Sequence, residues 1–128
     1  MVVDASVLIA LMNPDEAHFA DAVVLVRRGA IAGRLVAHAM TVAESAVGAA
    51  EKGHLEQLRR AFDGLGLAAA ESDREQPWRL AVLRAETRLP LPDCCVLDLA
   101  MESRGELATF DARLAVAARR RGVTLAAA

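Results

Sequence analysis

Short apolar runs that read as strands alternate along the whole chain with stretches of helical spacing, and this alternation most limits what the chain can fold into. Parallel strands need a crossover long enough to hold a helix, whereas antiparallel neighbours need only a tight turn. The strand candidates are residues 1–3, 35–39, 67–70, 107–110 and 123–125. Helices are expected over 6–12, 16–28, 41–52, 54–65, 73–88, 93–103 and 111–121. Glycines at 29, 33, 53, 64, 66, 105 and 122 and the segment Leu89-Pro90-Leu91-Pro92 supply the breaks. The expected fold class is therefore α/β. Residues 1–128 form one domain, with a mainly parallel sheet of four or five strands flanked by helices.

Composition supports a packed domain. The chain is 55% hydrophobic and 25% charged, which is enough to bury a core. No apolar run reaches the ~18–20 residues that span a bilayer. Met1-Val2-Val3 runs straight into Asp4, unlike a signal peptide, so a cytoplasmic location is expected. Cys94 and Cys95 are adjacent. Their Cα atoms lie ~3.8 Å apart across a trans peptide, below the usual disulfide range of ~4.4–6.8 Å. They also lack the spacing of a zinc site, so they are expected to be buried, reduced and apolar. With three Phe, one Trp and no Tyr, stacking on bases is a poor means of recognition. A net charge of −2 excludes a protein that is basic all over, but not a local basic patch.

Three aspartates share one kind of place. Asp4 and Asp111 follow strands, and Asp93 opens a helix just after Pro92. In a parallel sheet the carboxyl ends of strands and the starts of helices lie on one rim, where ligands bind. Each acid also has a structural reading: Asp4 and Asp111 as helix caps, Asp93 as a first-turn residue favoured by the helix dipole. Three caps on one rim are more than capping needs. Glu44 is the fourth candidate. Thr41-Val42-Ala43-Glu44 matches a capping box, and a helix starting on the same rim also points Glu44 into the cluster. Carboxylates gathered within a few ångströms raise one another's pKa, a penalty that a divalent cation removes. Oxygen donors without His or Cys suit Mg²⁺ or Mn²⁺ rather than zinc. His18 and His54 read as exposed, and His38 ends a strand near the rim. Asp98 lies ~140° around the helix from Asp93 at ~100° per residue, and is read as a buried ion pair with an arginine.

These features together resemble the PIN-domain nucleases, and within them the VapC-type toxins of bacterial toxin–antitoxin pairs. The matching segments are Val2-Val3-Asp4-Ala5-Ser6-Val7-Leu8-Ile9-Ala10, Glu44 in a helix, Leu91-Pro92-Asp93, and Ala108-Thr109-Phe110-Asp111-Ala112-Arg113-Leu114. The resemblance runs over nearly the whole chain, with the acids in family order. One departure is the segment 35–39, which lacks a proline that many relatives carry. The resemblance implies a metal-dependent endoribonuclease with Asp4, Glu44, Asp93 and Asp111 as its acids. Asp4, Asp93 and Asp111 would hold Mg²⁺ or Mn²⁺. Ser6 and Thr109 match small hydroxyl positions able to bind metal water or phosphate. It further implies in-line attack by water on RNA, a cognate antitoxin and a homodimer. With no aromatic platform, RNA would be held by its backbone, with Arg27, Arg28, Arg113, Arg119, Arg120 and Arg121 as candidates. The last three equally fit helix-end cations that complement the dipole.

Two other readings remain beside this one. A Mg²⁺-dependent phosphoryl hydrolase of the haloacid-dehalogenase type carries Asp-x-Asp after its first strand, whereas here the segment is Asp4-Ala5-Ser6. A catalytically inactive PIN-fold binding module would be marked by a broken acid set, and all four acids are present.

Overall fold

The computed structural model describes all 128 residues. Four short strands are joined and flanked by seven helices: β1 (Val2–Val3), α1 (Ala5–Leu11), α2 (Phe19–Ile31), β2 (Val36–His38), α3 (Ala39–Glu51), α4 (Leu55–Gly64), β3 (Ala68–Ala70), α5 (Gln76–Thr87), α6 (Leu91–Ser103), β4 (Leu107–Ala108) and α7 (Ala112–Arg120). The sheet is wholly parallel, in the order β3-β2-β1-β4. Val2 pairs with Val36 on one side and Leu107 on the other, and Val3 pairs with Ala108. The α/β expectation holds.

Side-chain alternation along β1 and β4 divides the core in two. Val2 and Leu107 face a cluster with Leu97, Leu114 and Ala118, from α6 and α7. Val3 and Ala108 face the other way, onto Leu8, Val26 and Phe62 from α1, α2 and α4. A period of two in the strands thus yields three layers, helix on sheet on helix. Helix α6 buries Cys94, Cys95, Val96, Leu97, Asp98 and Ala100. That accounts for its nearly continuous apolar sequence, since a helix covered on most sides has no polar face to display. Both cysteines are free and buried, as expected.

Chain order sets where a ligand site belongs. From β1 the chain moves outward through β2 and β3, then returns to pair β4 on the opposite side of β1. The crossovers therefore diverge at the carboxyl ends of β1 and β4, and an open crevice forms there.

Several element ends differ from the sequence reading. Helix α2 starts at Phe19 rather than at 16, because residues before it form turns in which Asn13 accepts from the Asp15 amide. Helix α6 starts at Leu91, with Pro92 inside its first turn, where a missing N–H costs nothing. It ends at Ser103 with Arg104, not Gly105, in the left-handed conformation (φ 52°). The last expected strand, 123–125, is reduced to one parallel bridge between Leu107 and Leu125.

Candidate active site

The crevice between β1 and β4 is laced by side chains that leave the two strands together. Asp4 is the N-cap of α1 and is only 4% exposed. Its Oδ2 accepts from the Ser6 hydroxyl (2.6 Å), the Thr109 hydroxyl (2.8 Å) and, more weakly, the Ser6 amide (3.4 Å). The Ser6 hydroxyl in turn accepts from the Phe110 amide (2.9 Å), and the Thr109 hydroxyl from the Asp111 amide (3.0 Å). Both hydroxyl protons are thus spent on Asp4. Ser6 and Thr109 orient Asp4 and tie the β4 exit to α1.

Asp111 is the N-cap of α7, its Oδ1 accepting from the amides of Arg113 (2.8 Å) and Leu114 (3.0 Å). The capping readings of Asp4 and Asp111 are correct, yet each uses one oxygen only. Asp4 Oδ1 and Asp111 Oδ2 receive no hydrogen bond within the chain. Asp93, in the first turn of α6, is half-buried and has no hydrogen-bond partner.

Asp93 lies within electrostatic reach of the other three acids. Burial, then the charges of Asp4, Asp111 and Glu44, push the Asp93 carboxyl up from 3.8 to about 6, opposed only by Arg113. Glu44 is likewise raised, by burial and by Asp4. Acids from β1–α1, α3, α6 and the β4–α7 junction therefore share one field.

Glu44 reaches this field by a different route from the one its sequence predicts. Helix α3 begins at Ala39, so Glu44 lies in the second turn and Thr41 is not the cap. The cap is His38, whose Nδ1 accepts from the Met40 amide (3.1 Å). Thr41 is fully buried, and its hydroxyl has no partner. The capping box is thus overturned, because the helix starts earlier than a Thr N-cap requires.

His38 and Asp98 belong to a buried network. Arg79 donates from Nε to Asp98 Oδ1 (2.8 Å) and from Nη2 to Oδ2 (3.0 Å), the ion pair expected for Asp98. Gln76 donates from Nε2 to Asp98 Oδ2 (2.9 Å), which turns its Oε1 toward His38 Nε2 (2.9 Å). A carboxylate only accepts, so the Gln76 amide is fixed and His38 must carry its proton on Nε2. His38 is committed to helix capping and this network, and is buried away from any substrate. One contact had no sequence signal: the exposed His18 ring stacks on Phe110 (centroids 4.4 Å, 12° between planes), 92 positions away along the chain.

The donor set fits a hard divalent cation in its chemistry. It offers oxygens only, several of them free of hydrogen bonds, in surroundings short of positive charge. It is not a closed cage: no three His, Cys, Asp or Glu side chains are arranged to hold a metal ion.

The PIN domain family model matches residues 1–120. No curated protein matches the chain. Among solved structures, a toxin-antitoxin complex from Klebsiella pneumoniae is similar, with 24% identity, a TM-score of 0.67, and coverage of 86% of this chain and 85% of that one. At that identity the likeness concerns the fold, and it agrees with the three-layer parallel architecture. With the family model spanning all four strands and every one of the four acids, this chain belongs to the PIN domain family.

Proposed function

We propose that this protein is a metal-dependent endoribonuclease acting as the toxin of a toxin–antitoxin pair. The observation that carries this reading is the mutual field of Asp4, Glu44, Asp93 and Asp111 at the switch point of the sheet. Clustered carboxylates repel an RNA phosphate, so they serve catalysis only with a cation between them. Asp4, Asp93 and Asp111 would hold Mg²⁺ or Mn²⁺. Bound there, such an ion would lower the pKa of water and offset the charge on the attacking and leaving oxygens.

The chain's own residues do the rest. Ser6 and Thr109 fix one oxygen of Asp4 and leave the other without a hydrogen bond. Asp111 is held by the start of α7 with one oxygen free. Glu44 is exposed and unbonded, and would accept a proton from an attacking water.

A toxin needs a partner that silences it, and the similar structure from Klebsiella pneumoniae is a toxin-antitoxin complex. An apolar groove of about 430 Å³ between α3 and α4, lined by Val42, Leu55, Leu58 and Phe62, suits an amphipathic helix from such an antitoxin. A homodimer and a cytoplasmic location accompany this reading. No helix is long and apolar enough to cross a membrane.

The test is cleavage of total RNA by purified protein with Mg²⁺, with Mn²⁺ and with chelator, beside Asp4→Asn and Asp93→Asn. We expect cleavage only with metal, reduced at least about 100-fold by either substitution. Cleavage that survives chelation or both substitutions rejects the metal mechanism. No cleavage by the unaltered protein under any of these conditions makes it a PIN-fold binding module instead.

A further inference from the structure

We infer that single-stranded RNA leaves the carboxylate site along a cleft between α7 and the α5–α6 connection, held there by its phosphates on Arg113 and Arg120. This rests on the nuclease reading and names the path its substrate takes. The cleft is about 380 Å³, and its charged lining is Arg113, Arg120, Arg121 and Glu86, with Thr87 and Leu89 on the opposite wall. Arg121 is already neutralised, its Nη2 lying 2.7 Å from Glu86. Arg113 and Arg120 have no carboxylate partner. Seven residues apart, they lie on one face of α7, two turns or about 10 Å from each other.

Arg113 is the cation that the helix dipole does not explain. It stands in the first turn of α7, where the helix dipole disfavours a cation. Its amide donates to Asp111 (2.8 Å) and its side chain lines the cleft, so it borders the carboxylates and the cleft at once. Arg120 continues the line away from the acids. A polyanion entering the site finds its first free cation at Arg113 and its next at Arg120.

Arg28 and the α3–α4 groove lead elsewhere. Arg28 is bonded to Glu106 and to the Ala127 carbonyl. Those contacts lie at the amino ends of β1 and β4, at the opposite end of the sheet from the acids. The α3–α4 groove is mainly apolar, and its single arginine, Arg59, shares it with Asp63.

The experiment measures anisotropy of a labelled single-stranded RNA oligonucleotide on the intact protein, with Ca²⁺ replacing Mg²⁺. Arg113→Gln and Arg120→Gln are compared with Arg60→Gln, a control whose arginine pairs with Glu56 on α4. We expect each cleft substitution to weaken binding about tenfold. Each should also flatten the slope of log K against log salt by about 0.7. The control should stay within about twofold. Binding and salt slope unchanged in both cleft variants would overturn the inference. So would polyglutamate binding as tightly as RNA with the same dependence on Arg113, which assigns the cleft to an acidic protein segment. If the unaltered protein cleaves RNA with Mg²⁺ while the cleft variants bind and cleave like it, the path is wrong and the nuclease reading stands. If RNA binds through the cleft but no metal supports cleavage, the nuclease reading is wrong and the cleft stands.

Discussion

Asp93 keeps its proton to about pH 6, against 3.8 in its ordinary state, because it is partly desolvated among three other acids. Between those pH values the folded chain binds a proton that the unfolded chain has released. Stability from this group is therefore lost as pH rises from about 4 to about 6. Glu44 acts in the same direction. A divalent cation competes with that proton. Melts with and without Mn²⁺ should show a small metal-induced rise in Tm near pH 5 and a larger one near pH 7, and Asp93→Asn should abolish the difference. Asp98, five residues on, answers to other forces. Its charge is buried against Arg79 and Gln76, so Asp98→Asn removes the buried counter-ion of the guanidinium and leaves it the exposed Asp73. We expect Tm to fall by about 5–10 °C while Mn²⁺ still binds. The sequence marks both residues as acids on one helix facing different ways. It does not show that Gln76 and His38 complete the Asp98 network, because those contacts join β2, α5 and α6.

Elements were legible where periodicity is strong, and their ends where the punctuating residue is unambiguous. The apolar run of α6 reads directly as a central helix, and Asp111 reads directly as the cap of α7. The failures share one cause: a side chain serves a cap or turn that another residue advertises better. Thr41 with Glu44 spells a capping box, but β2 delivers the chain to α3 at His38, and the imidazole takes the cap. Gly105 marks a helix stop, but the left-handed turn falls one residue earlier, on Arg104. A side chain there carries a Cβ penalty that glycine avoids. Arg104→Gly should raise stability by about 0.5–1 kcal/mol, measured by urea unfolding at constant m.

The molecule as a whole brings the acids together through its strand order. Alternating strands and helices predict a parallel sheet, and a parallel sheet predicts a rim. Only the order β3-β2-β1-β4 shows that the exits of β1 and β4 are adjacent, so that Asp4 and Asp111 meet across Ser6 and Thr109. That adjacency joins residues more than a hundred positions apart, and no local pattern encodes it. The His18–Phe110 stack was hidden for the same reason, and the sequence names Arg113 and Arg120 among six candidate arginines without showing that they line one cleft. Convergence on a single cation is the central claim, and Mn²⁺ retention followed by electron paramagnetic resonance near pH 7.5 tests it most directly. The account predicts that Asp4→Asn, Asp93→Asn and Asp111→Asn each weaken Mn²⁺ binding at least about tenfold, and that any two together cost less than the sum of their separate effects. Mn²⁺ binding that ignores all three substitutions, or losses that simply add as for independent sites, would contradict it.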